Sequence, residues 1–233
     1  MQLIFLDTET TGIEEADRLA QVCYRVDDRV KVGYFKPPVP MSVKSMSITH
    51  ITNKMLADKD PFSGSIFASE LQALLSEGVL IAHNAPFDCE MLRREGIQIP
   101  RFICTLRVAR FLDSGGVIPE YNLQFLRYYL DLDVPGNAHD AEGDVNVLHA
   151  VFERLLAKVQ EGTGNRDSAI QKMIEISGVP SLYKKFNFGK YKDKMIADVV
   201  QTDRGYLEWL LKQKLESDDD EDWIYTLQHF LKR

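Results

Sequence analysis

Two short apolar runs, Gln2 to Leu6 and Gly78 to Ala82, each break off at polar residues: Asp7-Thr8-Glu9 after the first, His83-Asn84 after the second. Uninterrupted apolar runs of that length, bounded by turn residues, read as buried strands. The first is expected to lead into a turn over Asp7 to Gly12. Leu19 to Val26 and Arg29 to Phe35, rich in Val and Tyr, predict an antiparallel continuation of it. Ser45 to Leu56, Ile66 to Leu75, Ala85 to Arg94, Ile103 to Leu112 and Asn122 to Leu130 instead carry apolar residues at helical spacing. Pro86 suits a first helical turn with Asn84 as its cap, and Asp140 is placed to cap a helix running through Leu156. Strands alternating with helices predict an α/β fold, a mixed β-sheet flanked by helices, with polar motifs at element ends where such folds bind ligands.

The 233 residues suffice for one catalytic-sized domain plus something small. Glu161-Gly162-Thr163-Gly164-Asn165 is the best linker, because two glycines among polar residues interrupt an apolar pattern. The expected division is therefore a domain over residues 1–163 and a small, mainly helical C-terminal domain over residues 164–233. No stretch approaches the roughly 20 apolar residues that span a bilayer, and the apolar start has no basic flank, so neither a membrane helix nor a signal peptide is expected. Cys23, Cys89 and Cys104 are odd in number and outside any Cys-x-x-Cys pair, which reads as reduced thiols in a cytoplasmic protein. A net charge of −7 argues against a general polyanion binder. It does not exclude an enzyme of nucleic acids, since clustered carboxylates acidify a protein whose bound metal ions reverse the local sign.

In a strand, residues two apart share a face, so Asp7 and Glu9 present two carboxylates side by side. Two such groups repel one another unless a divalent cation neutralises them, and oxygen-only ligands favour hard ions such as Mg²⁺ or Mn²⁺. Asp88 near one helix start, Asp144 in the opening turns of another and His139 in a loop are each ordinary taken singly. Their co-occurrence, each at the end of an element able to converge on one cleft, marks a candidate site.

The residues that make up this constellation resemble a known superfamily, the 3′→5′ exonucleases of the proofreading type, called DEDD after their four acidic residues. Phe5-Leu6-Asp7-Thr8-Glu9-Thr10-Thr11-Gly12 resembles its first motif, Ala82-His83-Asn84-Ala85-Pro86-Phe87-Asp88 the second and His139-Asp140-Ala141-Glu142-Gly143-Asp144 the third. A histidine five residues before the last aspartate matches the histidine subclass, DEDDh. Ser47 to Thr52 and Cys104-Thr105-Leu106 with Ala109-Arg110 resemble further family segments. The tail, from Pro180-Ser181-Leu182 through Phe188-Gly189-Lys190 to Trp209-Leu210, is similar to the C-terminal region of the exodeoxyribonuclease X branch.

The resemblance implies an RNase H-like fold and hydrolysis of DNA from the 3′ end, single-stranded or frayed duplex, releasing 5′-mononucleotides in repair or proofreading. It implies two Mg²⁺ ions, with Mn²⁺ able to substitute, roughly 4 Å apart. Asp7, Glu9 and Asp144 would hold one, Asp7 would reach the second and Asp88 would support it. His139 is the expected general base, its ordinary pKa near 6.5 suiting the task, with His83 the competitor. Thr10, Gly12, Ile13, His83 and Asn84 are the expected substrate contacts; Gly12 would let a ligand approach the backbone, and Ile13 would either wedge against the last base or close the core. The basic, aromatic segment Lys184 to Lys192 would either grip DNA or form a small core of its own, and the acidic run around Asp218 to Asp222 reads as a solvated surface. RNA is the alternative substrate, a catalytically silent nucleic-acid-binding module the alternative of another class, and no protein partner is indicated.

Overall fold

The computed structural model describes residues 1–134, 141–217 and 220–232. Its strands are β1 (Leu3–Thr10), β2 (Leu19–Val26), β3 (Arg29–Tyr34), β4 (Val79–Ala82) and β5 (Phe102–Cys104), arranged in one sheet of order β3-β2-β1-β4-β5. The helices that precede β5 are α1 (Val43–Thr49), α2 (Asn53–Leu56), α3 (Ile66–Glu77) and α4 (Ala85–Arg94). After it come α5 (Thr105–Leu112), α6 (Leu123–Tyr129), α7 (Ala141–Thr163), α8 (Arg166–Ser177), α9 (Ile196–Thr202), α10 (Arg204–Ser217) and α11 (Glu221–Leu231). β1 pairs antiparallel with β2 and parallel with β4, which makes the sheet mixed as expected.

Alternation along the strands divides the sheet's faces. Ile4, Leu6, Leu80, Ala82 and Cys104 point to the side covered by α3 and α4, where Phe67, Leu71, Leu75, Cys89 and Leu92 join them in one core. Phe5, Cys23, Ile81 and Ile103 point to the other side, covered by α5, α7 and α8. There Phe5 meets Phe152 edge-on at 5.2 Å, and Phe152 is wholly buried, so truncating it to Ala should cost about 3–5 kcal/mol. All three cysteines are buried, and none is in a disulfide among the described residues. No helix among the described residues is long and apolar enough to cross a membrane.

Several elements differ from the expectation. β1 does not turn at Asp7; it continues through Thr10, because β2 supplies hydrogen-bond partners up to Thr10 opposite Leu19, with an irregularity between Glu9 and Thr10. The helix expected over Ser45 to Leu56 is two, since His50 adopts a left-handed conformation (φ 58°) and Thr52 caps a new start. Ile103 belongs to β5, a short apolar stretch that pairs with β4 before the helix begins at Thr105. α7 runs on to Thr163, beyond Leu156, and the break comes at Gly164 (φ 85°), after which Asn165 caps α8. The boundary expected at 163/164 thus lies between two helices that pack in the same core, to which α8 gives Ala169, Ile170 and Met173.

A separate core begins farther on. Phe186, Ile196, Val199, Leu207, Trp223 and Leu227 form it, with Trp223 stacked against Tyr183 at 4.8 Å and Phe186 at 5.3 Å. The aromatic segment therefore builds its own core, with Phe186 and Trp223 each 1% exposed. The acidic run is not all solvated surface. Asp220 caps α11, Glu221 pairs with Arg107, and Asp222 takes Arg110 at 2.6 Å and the Ser181 amide at 2.7 Å. Arg110 also lies over the Tyr183 ring at 4.5 Å, so α5 is the seat on which this unit docks.

Candidate active site

Pairing between β1 and β4 ends at Phe5 opposite Ile81, one residue before β4 itself ends at Ala82. Asp7 and Glu9 thus lie on the central strand beyond its last partner on that side, in the crevice where α4 starts. They share the face of Phe5, toward α7, whose first turn carries Asp144. One carboxylate oxygen from each of Asp7, Glu9 and Asp144 lies within 4.8 Å of the others. Thr8, between the two acids, points the opposite way and donates its hydroxyl to Asp88 Oδ1 at 2.7 Å. Asp88, on α4 and 4% exposed, is held at the edge of the cluster by that bond.

The electrostatics follow from burial and like charge. Burial, then the charges of Asp88, Glu9 and Asp144, raise the Asp7 pKa well above the usual carboxylate range. Burial, Asp144 and Asp88 push Glu9 up to about 7. Asp88 also rises to about 7 through burial, which outweighs the favourable Thr8 bond. Among the described residues no Lys or Arg ion pair involves Asp7, Glu9 or Asp88. An all-oxygen donor set with surplus negative charge fits a hard divalent cation.

The remaining expected site residues fare differently. His139 and Asp140, with residues 135–138, lie outside the described residues. His83 is engaged at both ring nitrogens: Nε2 donates to the Tyr121 carbonyl at 2.7 Å, which leaves Nδ1 to accept from the Thr105 hydroxyl at 2.9 Å. Its pKa falls to about 4, through burial and, less, through Arg110. Asn84 stands where a cap would but in a left-handed conformation (φ 65°) and makes no side-chain cap bond; it is exposed beside the crevice. Pro86 does open α4. Thr10 is buried and donates to the Gly12 carbonyl at 2.7 Å. Gly12 lies close to the Asp17 carboxylate, where a Cβ would come 2.4 Å from Oδ2. Ile13 is 75% exposed and closes no core.

Two residues that sequence reasoning passed over belong here. Thr8 holds Asp88, and strand alternation signals it, because the residue between Asp7 and Glu9 must face α4. Gln124 on α6 donates its amide to Asp144 Oδ1 at 2.7 Å, and nothing in the local pattern signals it. A cleft of about 600 Å³ adjoins the crevice, walled by His83, Asn84 and Pro86 on one side and Tyr183 and Asp222 on the other.

Against known proteins, residues 4–152 match the family model described as Exonuclease, and residues 186–214 that described as Exodeoxyribonuclease X-like C-terminal. Exodeoxyribonuclease 10 of Escherichia coli K12 is 32% identical over 238 residues, covering 99% of each chain. DNA polymerase III subunit epsilon of Rickettsia conorii is 30% identical over 76% of this chain and 79% of that one. Among solved structures, Exonuclease X in complex with 5′ overhanging duplex DNA aligns with a TM-score of 0.57 and 23% identity, over 76% of this chain and 99% of that one. The nuclease domain of 3′hExo, a DEDDh family member bound to rAMP, aligns with a TM-score of 0.54 and 14% identity, over 67% and 92%. The mixed sheet flanked by helices is thus an RNase H-like fold.

Proposed function

The chain belongs to the exonuclease family, within the DEDDh superfamily of 3′→5′ exonucleases, and from that premise we propose that it hydrolyses DNA from the 3′ end, in repair or trimming of DNA ends. The observation that carries the reading is the convergence of Asp7, Glu9 and Asp144, with no Lys or Arg ion pair to Asp7 or Glu9 among the described residues. Members of this family use divalent metals. Two Mg²⁺ ions would fit here: Asp7, Glu9 and Asp144 would hold one and Asp7 with Asp88 would serve the second, and bound there they would supply Lewis-acid stabilisation of charge at the scissile phosphate. His139 takes the proton of the attacking water. His83 is left out of proton transfer, because both of its nitrogens are engaged within the protein. Exposed Asn84, which lines the cleft, and exposed Ile13, in the loop after β1, meet the terminal nucleotide.

DNA is favoured over RNA by the C-terminal match at residues 186–214 and by the full-length relative, an exodeoxyribonuclease. For this purpose the catalytic unit extends through α8, whose residues complete the core beneath the sheet, and the C-terminal unit begins near Leu182. The test is incubation with 3′-labelled and 5′-labelled DNA and RNA oligonucleotides, with and without Mg²⁺. Metal-dependent release of the 3′ label first, from DNA, is expected. Preference for RNA, loss of the 5′ end first, or full activity in chelator would refute the reading.

A further inference from the structure

The Gln124 amide makes a polar contact to the acidic cluster that the proposed reaction does not use. α6 lies against α7, its Leu126 buried in their common core, and this brings Gln124 Nε2 to 2.7 Å from Asp144 Oδ1. The amide's orientation is set by the network around it. Gln124 Oε1 accepts from Arg127 Nη1 at 3.3 Å, one turn along the same helix, so the NH₂ end faces the carboxylate. The same guanidinium donates through Nη2 to the Val134 carbonyl, in the segment that follows α6. Among the described residues, Arg127 thus joins the side chain that touches Asp144 to the backbone beyond the helix.

A neutral amide is suited to this place. A Lys or Arg against Asp144 would orient it and also cancel the negative charge that a cation needs. A Gln N–H occupies one oxygen, fixes rotation of the carboxylate and leaves its net charge intact. We propose that Gln124, locked by Arg127, is a positioning residue that presents Asp144 to a divalent cation. This rests on the metal-dependent reading of the site given above.

The test is calorimetric titration of Mg²⁺ or Mn²⁺ into metal-free protein without DNA, for wild type, Gln124→Leu and Arg127→Met. Leu keeps the volume and removes the donor; Met keeps Gln124 and removes the group that locks it, and gives a second reading if Gln124→Leu fails to fold. Metal affinity is expected to fall about tenfold in Gln124→Leu and by a smaller factor in Arg127→Met, as losses of groups that orient a metal ligand do. At saturating metal the KM for DNA is expected to stay within about twofold and kcat to recover, which a loss of packing would not produce. Unchanged affinity in both folded variants would overturn the inference while leaving the proposed function standing. A wild-type protein that takes up no ion would overturn the functional reading itself, and the inference with it.

Discussion

Replacing Asp88 by Asn should stabilise the metal-free protein at pH 8 while abolishing its activity. The Asp88 carboxyl is 4% exposed and its pKa lies at about 7, against an ordinary 3.8. A folded-state pKa raised in this way contributes stability that is fully present below the ordinary value and is lost as pH rises through the folded one. At pH 8 the loss is complete and amounts to about 4 kcal/mol, at roughly 1.4 kcal/mol per pH unit. Asn keeps the shape and an oxygen for the Thr8 hydroxyl, but the weaker bond to a neutral acceptor takes back about 1–2 kcal/mol. The net gain is about 2–3 kcal/mol, or roughly 5–10 °C in Tm for a chain of this size. Thermal denaturation in chelator at pH 8 and pH 4 measures it, and the advantage of Asn should vanish at pH 4. Adding Mg²⁺ should reverse the ranking, because only the wild type binds the ion well. A variant no more stable than wild type at pH 8 without metal would refute the view that these acids are held in charged strain.

Three further outcomes follow from the same geometry. Because Glu9 has its pKa at about 7, protons compete with the cation below neutrality, and metal affinity by calorimetry should fall about tenfold from pH 8 to pH 6; a flat profile would count against Glu9 as a ligand. His83→Ala leaves the Thr105 hydroxyl and the Tyr121 carbonyl without their partner and should cost about 1–3 kcal/mol in urea denaturation while the folded variant still turns over, whereas His139→Ala should abolish turnover; the opposite pattern would reassign the base. Asp222→Ala removes the partner of Arg110 and of the Ser181 amide and should destabilise docking of the C-terminal unit by about 2–4 kcal/mol, seen as faster proteolysis near residues 178–181; an unchanged digestion rate would show that the ion pair is dispensable.

The parts of the molecule legible in the sequence were those governed by local periodicity. The β1 and β4 runs, the shared face of Asp7 and Glu9, and Pro86 at the opening of α4 all follow from side-chain alternation and backbone constraint. The length of β1 did not, because Asp7 to Thr10 look like a turn until β2 is known to pair with them. β5 was hidden by its continuity with α5, three apolar residues being too few to set a period. The partnerships of Gln124 with Asp144, and of Arg107 and Arg110 with Glu221 and Asp222, join residues 20 to 114 positions apart. Such long-range pairings are products of packing and leave no local trace. The acidic run therefore looked like solvated surface although its end anchors a whole unit.

The acids that repel one another most are fastened to the part of the molecule least able to yield. Surface carboxylates relieve crowding by swinging apart. Asp7 and Glu9 sit on a middle strand whose backbone is bonded along β2 and whose Ile4 and Leu6 are sealed beneath neighbouring helices, so that escape is closed to them. Among the described residues no Lys or Arg pairs with them, and positive charge of small radius from outside the chain would bring relief. The fold thus carries a permanent appetite for cations built into its stiffest element, and the loops around it are left free to vary in what they choose to cut.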